Sequence, residues 1–401
     1  MSASFLSEKV LALAPSATMA MSAKAKKLAA EGKNVISFSV GEPDFKTPLH
    51  ICEAAKKAID DGDHAYTPTP GTMELRKAIA KTLTKETGAN YEATNIVASP
   101  GAKYSLYLTL LAMINPGDEV IIPAPYWVSY PEMVSLCGGK PVIVNTREED
   151  QFAISPAALD AAITDRTKML ILNSPCNPTG KITPAEVIRE IGKILEKRGI
   201  WCISDEIYNH LVFNGDEIAS MAGVSDYCRV HTIVVNGCSK TYAMTGWRLG
   251  WIGARKEIAK AVDDLQSQTT SNPNSIAQAA GLAALEGPQD CVEVMRKKFA
   301  ERRNLVSKML DDIDGVSCSR PTGAFYALPN ISGLFGRTIA GQVINNPTEF
   351  CNLALEKAYV ALVPGEPFGA PAHMRMSYAT SDENIVEGCR RLKSLVEGGK
   401  I

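Results

Sequence analysis

The sequence lacks most of the signatures that assign a chemistry at first sight. Its ten cysteines contain no CxxC pair, and its five histidines are dispersed, with no HExxH and none at zinc-finger spacing. A clustered metal site is therefore not expected. No GxxxxGK[ST] loop is present, and the glycines of "GWRLGWIG" do not fall as GxGxxG, so neither common nucleotide-phosphate fingerprint applies. A basic excess is missing too: 42 Lys+Arg stand against 44 Asp+Glu, a formal charge of -2. That balance argues against nucleic acid or an anionic membrane as the main partner. Uncharged runs such as "YSLYLTLLAMINPG" stop short of the ~18 apolar residues expected of a membrane span.

What is present suits an enzyme-sized α/β protein. With 401 residues and 45% hydrophobic content, the chain is long enough for two or three cores. Cysteines such as Cys137 and Cys202 sit in apolar stretches and read as small core residues of a reducing compartment, hence a cytoplasmic expectation. The N-terminal "VLALAPSATMAMSA" resembles a signal peptide only faintly. Glu8 and Lys9 give no positive n-region, and Pro15, Ser16 and Thr18 interrupt the apolar core, so the segment is read as part of the mature protein.

From about residue 50 to 290, apolar runs alternate with helical patterns. "GDEVIIPAP", "TKMLILNSP", "GIWCISDE" and "HTIVVNGCS" read as buried strands. Between them lie helices such as "TPAEVIREIGKILEKRG", which opens on Thr-Pro and has Gly just past its end. This alternation implies a mainly parallel sheet covered on both faces, with ligands at the carboxyl ends of its strands. After a long charged helix, "CVEVMRKKFAERRNLVSKMLDDI", shorter strands "GAFYAL" and "MRMSYAT" suggest a smaller α+β domain. The expected division is a large domain over 47–290 and a small one over 291–401, with 1–46 packing on the small one.

Three strand ends carry unusual polar groups. "NSPCNPTG" puts Asn177 in an Asn-Pro turn, which a turn alone would explain. "ISDEIYNHL" puts Asp205 at the end of a strand and Tyr208 three residues on, one helical turn away; an N-cap is the alternative for Asp205. "NGCSKTYAMTGWRLGW" places Lys240 directly after an apolar strand, with Arg248 eight residues on. Together these groups suit pyridoxal phosphate. That cofactor needs an amine for a Schiff base and a carboxylate for its ring nitrogen, with donors for its phenolic oxygen and its phosphate. Lys240, Asp205, the pair Asn177 and Tyr208, and the pair Ser239 and Arg248 supply these in turn.

"SPCNPTG", "SDEIY", "SKTYAMTGWRLGW" and "MRMSYATSDENI", in that order and spacing, resemble a class I aminotransferase of the fold-type I pyridoxal-phosphate superfamily. The resemblance runs from "PSATMAMSAKAKKLAAEG" and "SVGEPDF" to the C-terminal helix. "PYWVSYPEM" and "VNG..K..AMTGWR" narrow it to the bacterial-type aspartate aminotransferases, some of which accept prephenate. The resemblance implies a large domain with a seven-stranded sheet. It makes Lys240 the Schiff-base and proton-shuttling residue and gives Asp205 the ring nitrogen. Asn177 and Tyr208 fall to the phenolic oxygen. The amides of Ala102 and Lys103 join Ser239 and Arg248 at the phosphate, at a helix start. Trp127 stacks on the ring with Tyr126 beside it, and Tyr66 reaches the phosphate of a neighbouring subunit, which implies a homodimer. Arg375 clamps the substrate α-carboxylate, with Gly41, Asn177 and Trp127 around it. Lys103 also meets a side-chain carboxylate. The implied reaction moves the amino group of aspartate to 2-oxoglutarate by a ping-pong route.

Two positions depart from the pattern. Position 237 is Gly where many relatives have a phosphate-binding Ser, which leaves more to Ser239. Position 14 is Ala where relatives acting on prephenate tend to have a basic residue, with Lys9 or Lys24 as substitutes. Alternatives within the fold are prephenate, aromatic or alanine aminotransferases and a lyase. Outside it stand a non-catalytic cofactor-binding regulator and a doubly wound dehydrogenase.

Overall fold

The computed structural model describes residues 5–14, 17–213, 215 and 217–399, so Pro15 and Ser16 of the N-terminal motif lie outside the described residues. Its centre is a seven-stranded sheet. We label the strands β1 (Ile96–Ser99), β2 (Glu119–Ala124), β3 (Lys140–Asn145), β4 (Thr167–Asn173), β5 (Trp201–Asp205), β6 (Thr232–Gly237) and β7 (Gly250–Gly253). Their spatial order is β1-β7-β6-β5-β4-β2-β3. Every neighbouring pair is parallel except those made by β7, which runs antiparallel to β1 and β6.

The apolar runs form strands because both sheet faces are covered. Along β4, Met169 and Ile171 join one core cluster while Leu170 and Leu172 join another, the two-residue alternation of a strand buried on both sides. Helices Ala102–Met113 and Ala185–Arg198 supply much of that cover, the first over one face and the second over the other. Ala185–Arg198 stops where Gly199 turns left-handed at φ 71° and its amide caps Leu195.

After residue 290 the architecture changes. Helix Asp290–Asp311 packs against Asp382–Glu397. Beside them, Met374–Ser377 forms the middle of a three-stranded antiparallel sheet with Val363–Pro364 and Tyr326–Ala327. The N-terminal strand Ile36–Ser37 pairs in parallel with Val360–Ala361, and Met21, Ile36 and Phe38 share a core with Phe299, Phe350 and Leu392. That core also takes in Ile207, Tyr208, Leu211 and Phe213. The chain leaving β5 therefore runs straight from the large sheet into the C-terminal core, and Tyr208 stands at the junction.

Candidate active site

A cavity of about 440 Å³ opens where the carboxyl ends of β4, β5 and β6 meet the C-terminal sheet. This is where a parallel α/β sheet presents unpaired strand ends to a ligand. At the tip of β4, Asn173 uses both ends of its amide. Its oxygen accepts the backbone N–H of Asn177 at 2.9 Å, and its nitrogen donates to the backbone carbonyl of Asp205 at 2.9 Å. One side chain thus fixes the Asn177 loop against the end of β5.

Asp205 is 4% exposed. Its carboxylate accepts the Tyr130 hydroxyl at 2.7 Å and the Ile207 amide at 3.2 Å. Burial raises its pKa to about 6, opposed by those two hydrogen bonds and by the charge of Lys240. Residues 207–210 form a turn, not a helix, so Asp205 is no helix N-cap; Asp205 and Tyr208 nonetheless line the same cavity. The Tyr208 hydroxyl meets that of Tyr326 at 2.9 Å, and burial holds the Tyr208 phenol well above its ordinary pKa.

Lys240 follows β6 on the four-residue helix Cys238–Thr241. Its Nζ donates to the Gly41 carbonyl at 2.6 Å, and what exposure it keeps is to the cavity. Loss of solvent pushes its pKa down to about 8. Arg248 and Arg375 push the same way, while Glu42 and Asp205 oppose.

The far end of the cavity is built for an anion. Helix Ala102–Met113 begins there, with Ala102, Lys103, Ser239 and Arg248 on the wall. Gly101 has φ 90°, and a Cβ on it would overlap the Arg248 guanidinium, so the arginine lies against bare backbone. The glycine at 237 now has a physical account. Its backbone is extended, but a Cβ would fall 2.9 Å from both the Cα of Gly250 and the carbonyl of Leu249. At Gly250 a Cβ would overlap the amide nitrogen of Ala102. The close approach of β6, β7 and the helix start leaves no room for a side chain at 237 in this chain.

Arg375, 2% exposed, projects from the C-terminal sheet. It donates to the Asn177 side-chain oxygen at 3.2 Å and to the Ser39 carbonyl at 2.7 Å, while Nε has no partner. Its guanidinium lies 4.9 Å from the Tyr326 ring and 5.0 Å from that of Phe368. Among the described residues no carboxylate pairs with it.

Gly41, Ala102, Lys103, Trp127, Asn177, Asp205, Tyr208, Ser239, Lys240, Arg248 and Arg375 therefore share one cavity. Lys103 stands 4.7 Å over the Trp127 ring, its pKa lowered by burial and by Arg248. Tyr66 is not among them: it is 91% exposed, away from the cavity of its own chain. Tyr126 faces a separate small void and does not flank the cavity as expected. Lys9 and Lys24 bond Leu136 and Asn352, and neither lines the cavity. Sequence reasoning missed Tyr130, Asn173, Tyr326, Thr18 and Met19, all of which line it. The available signals were Tyr130 one helical turn after Trp127, and Tyr326 in a strand segment.

Comparison with known proteins places the chain in a family. The family model described as aminotransferase class I and II matches residues 33–392. An aspartate/prephenate aminotransferase of Nitrosomonas europaea is 45% identical over 394 residues, covering 98% of this chain and 99% of its own. The structure of the aspartate aminotransferase from Rhizobium meliloti superposes with a TM-score of 0.95 at 40% identity, covering 98% of this chain and 99% of that one. That of the Thermus thermophilus aspartate aminotransferase with maleate gives 0.92 at 40% identity, covering 98% and 100%. The fold is thus that of the fold-type I transferases. The chain belongs to the class I and II aminotransferases.

Proposed function

We propose that this chain is an aspartate aminotransferase working with pyridoxal 5′-phosphate, moving the amino group of L-aspartate to 2-oxoglutarate in a ping-pong cycle. The observation that carries the reading is Arg375. A buried guanidinium without a counter-ion among the described residues is costly, and it shares a cavity with an amine whose pKa burial lowers to about 8. A substrate carboxylate supplies the missing charge. The two solved relatives are aspartate aminotransferases, and the Thermus thermophilus one is seen with maleate, a dicarboxylate.

The residues fit the cofactor. A buried carboxylate, two neutral donors, a lysine and an anion cradle shaped around Gly101 stand in one cavity. When bound, pyridoxal phosphate supplies a carbonyl for the substrate amine and a ring that spreads the charge left at Cα. Asp205 holds the proton on the ring nitrogen. Asn177 and Tyr208 would bond the phenolic oxygen, and Trp127 would lie against the ring. Ser239, Arg248 and the amides of Ala102 and Lys103 bind the phosphate. Arg375 binds the α-carboxylate with Gly41 beside it, and the Lys103 ammonium draws the side-chain carboxylate. Lys240 Nζ, uncharged above about pH 8, takes the Cα proton and returns it.

A homodimer completes the reading, with the exposed Tyr66 reaching the partner's phosphate site. We read 47–290 as a large domain and 291–401 with 1–46 as a small one. All ten cysteines are free, in keeping with a cytoplasmic enzyme. Prephenate remains a second acceptor by the name of the Nitrosomonas relative, although neither Lys9 nor Lys24 lines the cavity. Steady-state rates with aspartate, glutamate, phenylalanine and prephenate test this. Aspartate with 2-oxoglutarate is expected to lead, and a preference for phenylalanine overturns the assignment.

A further inference from the structure

Among the described residues, the hydroxyl of Tyr130 is the only side-chain donor bonded to the Asp205 carboxylate; the second donor is the Ile207 amide. Tyr130 is 2% exposed and sits on helix Ser129–Leu136, at the point where the chain turns out of β2. Its position is over-determined. Its backbone N–H bonds the Trp127 carbonyl at 3.0 Å, and its ring meets that of Trp127 edge-on at 5.4 Å and 86°. The turn that puts Trp127 in the cavity therefore also sets a phenol against the carboxylate. A tyrosine buried only for its apolar ring has no need to meet a buried anion at 2.7 Å.

We propose that Tyr130 is a positioning residue for Asp205, holding the buried carboxylate in its charged form and in one orientation, and so setting how tightly the cofactor ring nitrogen is bound. This rests on the proposed function. An ionised carboxylate in a dry site needs donors, and Asp205 loses half of its direct ones without this hydroxyl. The other titratable groups facing Asp205 are Lys240 from the short helix after β6, Tyr208 and Glu206 from its own continuation, and Cys176 from the loop after β4. Of these, Lys240 favours the anion through its charge, and Glu206 repels it. None of the four donates a hydrogen bond to the carboxylate. Tyr130 also lines a void of about 30 Å³, so phenylalanine is the substitution that keeps the ring in place.

The test uses apoenzyme of the wild type, Tyr130→Phe, Asp205→Asn and the double variant. Dissociation constants for pyridoxal 5′-phosphate are measured from pH 5.5 to 8.5, with thermal unfolding of each apoenzyme alongside. Tyr130→Phe is expected to weaken binding about tenfold near pH 6, the scale of one hydrogen bond to a charged group. The deficit should shrink as pH rises, because Asp205 then ionises without help. In the Asp205→Asn background the same change should have no further effect. Equal affinity at every pH overturns the proposal, and so does a deficit that is flat in pH and survives in the Asp205→Asn background. Wild-type apoenzyme that fails to take up the cofactor at all overturns the functional reading as well, which separates the two failures.

Discussion

The two walls of the cavity are built differently. The sheet wall presents Asp205 and Lys240 at the ends of buried strands of five and six residues, Asp205 held by two hydrogen bonds and Lys240 by one to the Gly41 carbonyl. The opposite wall presents Arg375 from a small sheet of short strands, held by two carbonyl oxygens and two aromatic rings, without an opposing charge. The sheet wall is complete within the protein. The other leaves the Arg375 Nε without a partner and, among the described residues, no carboxylate beside it. Under the proposed function, that difference separates the groups assigned to the chemistry from the group assigned to select what undergoes it.

The largest break falls on the sheet wall. Lys240→Ala removes the amine and the proton carrier together, and turnover is expected to fall by about 10⁴-fold or more. Normal transamination in that variant sinks the assignment. Arg375→Leu acts on the other wall and should lower kcat/KM for aspartate roughly 100- to 1000-fold, as befits a lost charge-assisted bidentate contact. Cofactor affinity should hold and folding stability should not drop, since an unpaired buried charge has gone. A large loss of cofactor affinity would erase the distinction between the walls. Lys103→Met, between them, should reduce the preference for aspartate over phenylalanine by about tenfold, measured as a ratio of kcat/KM values. The subtlest effect concerns pH. Lys240 titrates near 8 when folded and near its ordinary lysine value when unfolded, so its charge destabilises the apoenzyme fully below about pH 8. Lys240→Met should therefore stabilise the apoenzyme at pH 7 by about 2 kcal/mol, and the gain should fade as pH climbs from 8 to 10. A gain constant across that range would show that the ammonium is not the cause.

The sheet wall was also the legible one. A run such as "HTIVVNGCS" has only one comfortable home, between two covered faces, and a lysine at its end is conspicuous. Asp205 and Asn177 stood out for the same reason. The other wall was harder to read. The value of Arg375 lies in the absence of a counter-ion, and its contacts come from Ser39 and Asn177, 336 and 198 residues away. Only folding reveals such an absence. Tyr130 and Tyr326 were invisible for a simpler cause: a tyrosine in an apolar segment looks the same whether its hydroxyl is idle or bonded to a buried neighbour. Tyr126 misled in the opposite sense, because adjacency to Trp127 in sequence puts a neighbour on a different side of the turn.

Glycine in "NGCSKTYAMTGWRLGW" invites a reading as slack in the chain. The structure gives positions 237 and 250 the opposite character. They are the places where three backbones touch and there is no room left to give. A search for mobile parts of this enzyme should pass over its glycine-marked centre, and a library that varies this stretch should leave both positions alone. Lys240 stands three residues beyond a joint where a side chain has no room, so the backbone that carries its amine has little freedom to shift.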